Sequence, residues 1–138
     1  MADKIPFELV SPERLLFSEA VEMVVIPGAE GNFGVLPGHS PFASTVRADL
    51  IEIYEGGQVT RRIFVAGGFA EVTPERVTVL ADEAASLDQL DREAIERRIK
   101  ALEEDVRDLA DEGARAAAQA KLGVEQAKLA AVVRAGSH

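Results

Sequence analysis

The chain has 138 residues, 47% of them hydrophobic and 28% charged, with a formal net charge of -9 and no cysteine. That length supports one sizeable core or two small ones, and the composition excludes a disordered protein. The acidic balance argues against nucleic acid or an anionic lipid surface as the main partner, and the missing thiols remove disulfides, thiolate zinc sites and cysteine nucleophiles.

The opening MADKIPFE lacks the apolar stretch of a secretion signal, and no run approaches the roughly eighteen apolar residues of a membrane span. A soluble protein on the cytoplasmic side is expected. Alternating or β-branched segments predict strands at 5–11, 19–26, 49–55, 59–65, 69–72 and 76–81. Gly56-Gly57 joins two of them, because glycines tolerate the positive φ angles of a tight hairpin. Pro74 fixes the first corner of another turn, TPER at 73–76. Strands at this spacing predict an all-β sandwich of about ten short strands over residues 1–84.

Between the second and third of these segments lies GAEGNFGVLPGHSPF, residues 28–42. Pro27, Pro37 and Pro41 stiffen it, and Gly28, Gly31, Gly34 and Gly38 let it turn sharply. Phe33 and Phe42 read as core residues closing the end of the sandwich. Glu30, Asn32 and His39, polar side chains in a rigid loop, read as partner contacts.

After Leu87 the grammar changes: residues 88–138 hold twelve alanines and neither proline nor aromatic. Ile95, Ile99, Leu102, Val106 and Leu109 step by four, three, four and three, an apolar seam down one helix that Asp88 or Asp91 can cap. Strong helix formers run over 114–134 apart from Gly123, with Leu122, Leu129 and Val133 on one side. DEG at 111–113 marks the break, Gly113 turning the backbone and Asp111 capping the second helix. A C-terminal two-helix antiparallel hairpin over 88–138 is expected.

Charge is uneven along this hairpin. Residues 88–112 carry ten acids and five bases, whereas residues 113–138 carry one acid and four bases. The last helix can pair with its acidic neighbour or leave it for an acidic partner. Because it is mostly alanine it removes little apolar area from water, so weak docking and a movable hairpin are expected.

Catalysis needs a base near neutral pH, a nucleophile or a metal cluster. His39 is the one internal histidine, since His138 is the last residue, and without cysteine a zinc centre is disfavoured. No nucleophile elbow surrounds Ser40 or Ser44, and Gly28, Gly31 and Gly34 are followed by neither a helix pattern nor GK[ST]. A noncatalytic protein with no metal and no required cofactor is expected.

LVSPERLLFS (9–18), GAEGNFGVLPGHSP (28–41) and VAGGFAEVTPERVTVLADEA (65–84) stand together in a familiar order and spacing. The sequence resembles the epsilon subunit of the F-type, proton-translocating ATP synthase, closely over 4–84 and more loosely from 88 onward. The resemblance implies a noncatalytic rotor subunit of the central stalk. One face of its sandwich would grip the gamma subunit, and the end carrying the EGxxG…PGH loop would sit on the ring of c subunits. Glu30, Asn32 and His39 would then touch the ring or lie close to it, although many relatives carry an acid in place of Asn32. The membrane would be met only through the c ring, which implies a peripheral location on the cytoplasmic face of a bacterial inner membrane.

The resemblance also implies that the hairpin can extend into the catalytic head of alpha and beta subunits and impede ATP hydrolysis. Arg115, Lys121, Lys128 and Arg134 would meet acidic loops there. Some relatives bind ATP on the folded hairpin through [IL]DxxRA. Here LDREAI, 90–95, keeps Leu90 and Asp91 but has Ala94 in the Arg slot and Ile95 in the Ala slot. Arg92, Arg97 or Arg98 would have to supply the guanidinium, which argues against tight ATP binding. The alternative function is a stand-alone nucleotide-sensing regulatory module, and a third reading is a small hydrolase working through His39 and a serine.

Overall fold

The protein divides after Leu87 into two compact units, seen in a computed structural model that describes residues 3–136. Of the terminal GSH, Ser137 and His138 lie outside the described residues.

The first unit is built of β1 (Ile5–Val10), β2 (Leu15–Val21), β3 (Met23–Gly28), β4 (Gly31–Val35), β5 (Phe42–Val46), β6 (Asp49–Glu55), β7 (Gln58–Val65), β8 (Gly68–Thr73), β9 (Arg76–Ala81) and β10 (Ala84–Ser86). They hydrogen-bond in the order β10-β7-β6-β3-β5-β8-β9-β1-β2, with β4 beside β3. β1 and β9 run parallel, and the other pairs are antiparallel. The path folds over between β3 and β5, where a single pair, Gly28 with Val46, joins the two leaves of the sandwich. Period-two alternation turns Ile5, Phe7 and Leu9 of β1, Ile51 and Ile53 of β6, and Val77, Val79 and Ala81 of β9 into one core. Each large aliphatic or aromatic side chain so buried stabilises the unit by ~1.5–3 kcal/mol.

Two segments depart from the sequence expectation. The strand expected over 19–26 is the end of β2 and the start of β3, because the backbone crosses from one leaf to the other at Glu22: β2 pairs with β1, but β3 pairs with β4 and β6. The Glu22 carboxylate accepts the Gly56 N–H at 2.8 Å, tying that crossing to the β6–β7 hairpin. Residues 28–42, expected as a loop, contain β4 and the first residue of β5. Glycines lower strand propensity, so only Phe33 and Val35 mark the inner face of β4. Phe33 packs against the core. Phe42 is 46% exposed rather than core, with its ring edge-on to Phe33 at a centroid separation of 5.0 Å.

The paired glycines at 67–68 have a local cause. Gly68 pairs with Ala81 on one side and Val46 on the other, at φ +150°, and a Cβ there would collide with the Leu80 carbonyl. Only glycine fits.

The second unit is a helical hairpin. After a short 3-10 turn at Leu87–Gln89, α1 spans Arg92–Asp108 and α2 spans Glu112–Ala135. Asp91 caps α1 by accepting the Glu93 N–H, and Asp111 caps α2 by accepting the Ala114 N–H at 2.7 Å. The break therefore falls at 109–111, and Gly113 lies in the first turn of α2 rather than in the connection. Ile95 is buried, and Ile99, Leu102 and Val106 are half-buried. On α2 the buried positions are Ala118, Leu122, Glu125, Lys128 and Ala131. Two charges thus occupy the stripe where leucine and valine are expected, and Val133 is 39% exposed.

Candidate functional site

The β3–β4 turn presents the polar residues that the sequence singles out. Pro27 faces Asn32 and Gly28 faces Gly31 across this hairpin, leaving Glu30 exposed at its tip. Gly28 is buried, and a Cβ on it would stand 2.8 Å from the Gly31 carbonyl oxygen and 3.0 Å from the Phe33 ring. The tight return of the backbone needs that glycine.

A residue not singled out from sequence holds the tip in place. Arg47, just beyond β5, donates from Nη1 to the Gly28 carbonyl at 2.6 Å and from Nη2 to Asn32 Oδ1 at 2.6 Å. Nη2 also meets Asp49 Oδ2 at 3.2 Å, a charge-assisted bond. Two backbone bonds frame the same corner, Arg47 N–H to the Pro27 carbonyl and Ala29 N–H to the Thr45 carbonyl, both at 2.9 Å. The signal is present in the sequence: Arg47 is the only Lys or Arg between Arg14 and Arg61, amid six acids. Asp49 offsets its charge, so the Glu30 carboxylate sets the sign of the tip.

His39 does not join this group. β4 runs from the tip down to Val35, and the turn after it places His39 N–H on the Leu36 carbonyl. The neighbouring Gly38 N–H donates to the Pro74 carbonyl, in the β8–β9 turn. Val46, which faces Gly28, pairs with Gly68 at the other end of β8. At ~3.3 Å per residue, β4 alone separates the two ends by roughly 13 Å. The glycines and prolines of 28–42 read as one loop, whereas a strand divides them between opposite ends of the sandwich. Glu30 and Asn32 therefore stand at one end of β4 and His39 at the other.

The His39 imidazole has a structural partner rather than a catalytic one. Its Nδ1 lies 2.8 Å from the Ser40 carbonyl oxygen, so Nδ1 carries the hydrogen. Ser44 Oγ donates to the Thr45 carbonyl at 2.9 Å. The imidazole is thus not paired with the Ser44 hydroxyl as a nucleophile and its base would be.

The basic residues of the last helix are unlike one another. Arg115, Lys121 and Arg134 are exposed, whereas Lys128 is only 7% exposed and donates to Glu125 Oε2 at 2.9 Å. Steps of six, seven and six residues put Lys121 and Lys128 on nearly the same side, two turns apart, and turn Arg115 and Arg134 away from them. Arg98 of α1 reaches Glu125 Oε1 at 2.8 Å. This cross-helix pair runs opposite to the expected polarity, with the base on the acidic helix and the acid on the basic one. Burial alone pushes the Glu125 carboxyl up, but the hydrogen bonds and charges of Arg98 and Lys128 outweigh it and hold the group below its ordinary range.

The residues of the LDREAI segment have local roles. Leu90 is half-buried, Asp91 is the cap of α1, and Arg92 Nε faces Glu96 Oε2 at 3.7 Å one turn on. The Asp91 carboxylate is thus engaged by backbone N–H.

Two family models match in sequence order. Residues 4–86 match the beta-sandwich domain of the ATP synthase Delta/Epsilon chain, and residues 91–138 match the C-terminal domain of the ATP synthase epsilon chain. An ATP synthase epsilon chain of Rhodospirillum rubrum is 57% identical over 132 residues, covering 95% of this chain and 98% of the relative. That of Rhodospirillum centenum is 56% identical over 134 residues, covering 94% and 92%. Among solved structures, a subunit of the Euglena gracilis mitochondrial ATP synthase (OSCP/F1/c-ring, rotational state 1) overlays with a TM-score of 0.76 at 25% identity, covering 98% of this chain and 82% of that one. A subunit of the Tetrahymena thermophila mitochondrial ATP synthase central stalk and c ring shares the fold, with a TM-score of 0.56 at 11% identity and 98% of each covered. Sandwich, hairpin and both halves of the sequence lead to one conclusion: the protein belongs to the ATP synthase epsilon chain family.

Proposed function

We propose that this protein is a noncatalytic central-stalk subunit of an F-type ATP synthase, joining the gamma subunit to the ring of c subunits during proton-driven ATP synthesis. The observation that carries this reading is the match of both epsilon-subunit domains, in order, along one polypeptide. A rotor part must transmit torque without deforming, and a sandwich whose two leaves are tied at Gly28, Val46 and Arg47 suits that task.

Glu30 and Asn32 at the β3–β4 tip carry the proposed contact to the c ring, while His39 lies at the other end of β4. The helices are proposed to impede ATP hydrolysis when they extend into the alpha and beta subunits. Arg115, Lys121, Lys128 and Arg134 would then meet acidic loops, Lys128 after leaving Glu125. No helix among the described residues is long and apolar enough to cross a membrane. The c ring would hold the subunit peripherally at the cytoplasmic face of a bacterial inner membrane.

Co-expression with gamma and c subunits tests this reading. The protein should elute with the gamma and c-ring subcomplex from a detergent-equilibrated column. A subcomplex that assembles fully while this protein elutes alone would contradict it.

A further inference from the structure

We propose that Arg47 is the positioning residue of the ring-facing tip: it fixes the direction of Glu30 and turns the amide N–H groups of Asn32, not its oxygen, toward the partner. The inference rests on the proposed ring contact and assigns the chemistry presented there.

The Arg47 guanidinium bridges a backbone carbonyl on β3 and a side-chain oxygen on β4, so a single planar group spans the two strands of the hairpin just below the turn. Asp49 Oδ2 accepts a further hydrogen bond from Nη2 at 3.2 Å. With Asn32 Oδ1 directed at Arg47, the amide faces outward with its two N–H donors. A carboxylate at position 32 would present no donor at all. The tip therefore offers one anion, Glu30, beside one neutral donor pair. It fits a partner loop that supplies a cation or N–H groups to the carboxylate and a carbonyl oxygen to the amide.

The placement of Arg47 also explains its reach. Gly28 and Val46 are the only pair joining β3 to β5, and Arg47 follows Val46 directly. One side chain thus adds to the two backbone bonds of that corner in tying the hairpin to the seam between the leaves.

The full-length protein with Arg47→Gln, Arg47→Lys and Asn32→Ala, and the Arg47→Gln/Asn32→Ala double variant, provides the test. Amide hydrogen exchange and binding to a detergent-solubilised gamma and c-ring subcomplex are measured for each. Arg47→Gln should speed exchange at Ala29 and Gly31 about tenfold, the loss expected for a hydrogen bond to a charged group. Exchange in the Gly56-Gly57 hairpin should not change. Arg47→Lys should behave like Arg47→Gln, since an ammonium cannot span both acceptors. Ring binding should weaken about tenfold in Arg47→Gln, with no further loss in the double variant, because the two residues act as a unit. Unchanged exchange in Arg47→Gln, rescue by Arg47→Lys, or additive losses in the double variant would each overturn the positioning role. If Glu30→Gln leaves ring binding intact, the ring-contact reading fails instead, and the exchange measurements still judge Arg47.

Discussion

Arg98 and Glu125 are joined across the helical hairpin by a 2.8 Å ion pair, and Glu125 is also the acceptor for Lys128, one turn further along its own helix. The sole acid of the last 26 residues is thus the point where both helices meet. Buried charges persist only when paired and hydrogen-bonded, and here one carboxylate satisfies two cations. The charge that makes α2 basic overall is therefore partly neutralised inside the hairpin.

Replacing Glu125 with Gln should loosen the hairpin. Lys128, with its side chain only 9% exposed, would lose its carboxylate partner. The expected cost is ~1–3 kcal/mol, most of it from Lys128, because Arg98 is half-exposed and solvent screens its share. Urea unfolding followed by helical circular dichroism measures this, and an unchanged midpoint would refute a stabilising role for the Arg98–Glu125–Lys128 contact.

Acid should weaken the same contact. The folded Glu125 carboxyl sits below its ordinary value of 4.5, so it releases its proton more readily folded than unfolded. Its stabilising contribution is complete above that ordinary value and is lost as pH falls through the folded one. Helix stability of the wild type should therefore decline faster on acidification than that of Glu125→Gln, and parallel curves would speak against the pair.

Gly68→Ala should damage the sandwich. The new methyl would meet the Leu80 carbonyl at a backbone φ of +150° that only glycine adopts readily. A loss of about 2 kcal/mol or more is expected. Gly123→Ala is the control: nothing lies within 4 Å of a Cβ there, and helix propensity should raise stability by up to ~1 kcal/mol. Thermal denaturation of both variants separates the effects.

Much of the fold is legible in the sequence because its physics is local. β-branched alternation locates β1, β6, β7, β8 and β9, Gly56-Gly57 forms a hairpin with φ of +62° and +77°, and Asp91 and Asp111 announce the helix starts. β4 is hidden because its residues pair well but propagate strand poorly, and its pairing with β3 depends on the partner strand. The same strand explains why His39 looks adjacent to Glu30: a short span of sequence conceals a full crossing of the sandwich. Arg47 is hidden for a related reason, since its partners lie nineteen and fifteen residues away. Glu125 and Lys128 mislead because a buried ion pair looks, in sequence, like a solvated face.

Neutralising Arg115, Lys121 and Arg134 together should relieve inhibition of ATP hydrolysis in the assembled enzyme without unfolding the hairpin, since all three are exposed. The effect should shrink at high salt, where exposed charges are screened. Hydrolysis rates that match the wild type at both low and high salt would remove these residues from the head contact.

The protein has no cysteine, so any thiol introduced into it is unique within its sequence. Glu30→Cys and His39→Cys, each carrying a short thiol-reactive crosslinker in the assembled enzyme, address the proposed ring contact most directly. Crosslinking to a c subunit from position 30 and none from position 39 is the predicted result. Crosslinks to c from position 39 alone would contradict it, placing the opposite end of the sandwich on the ring.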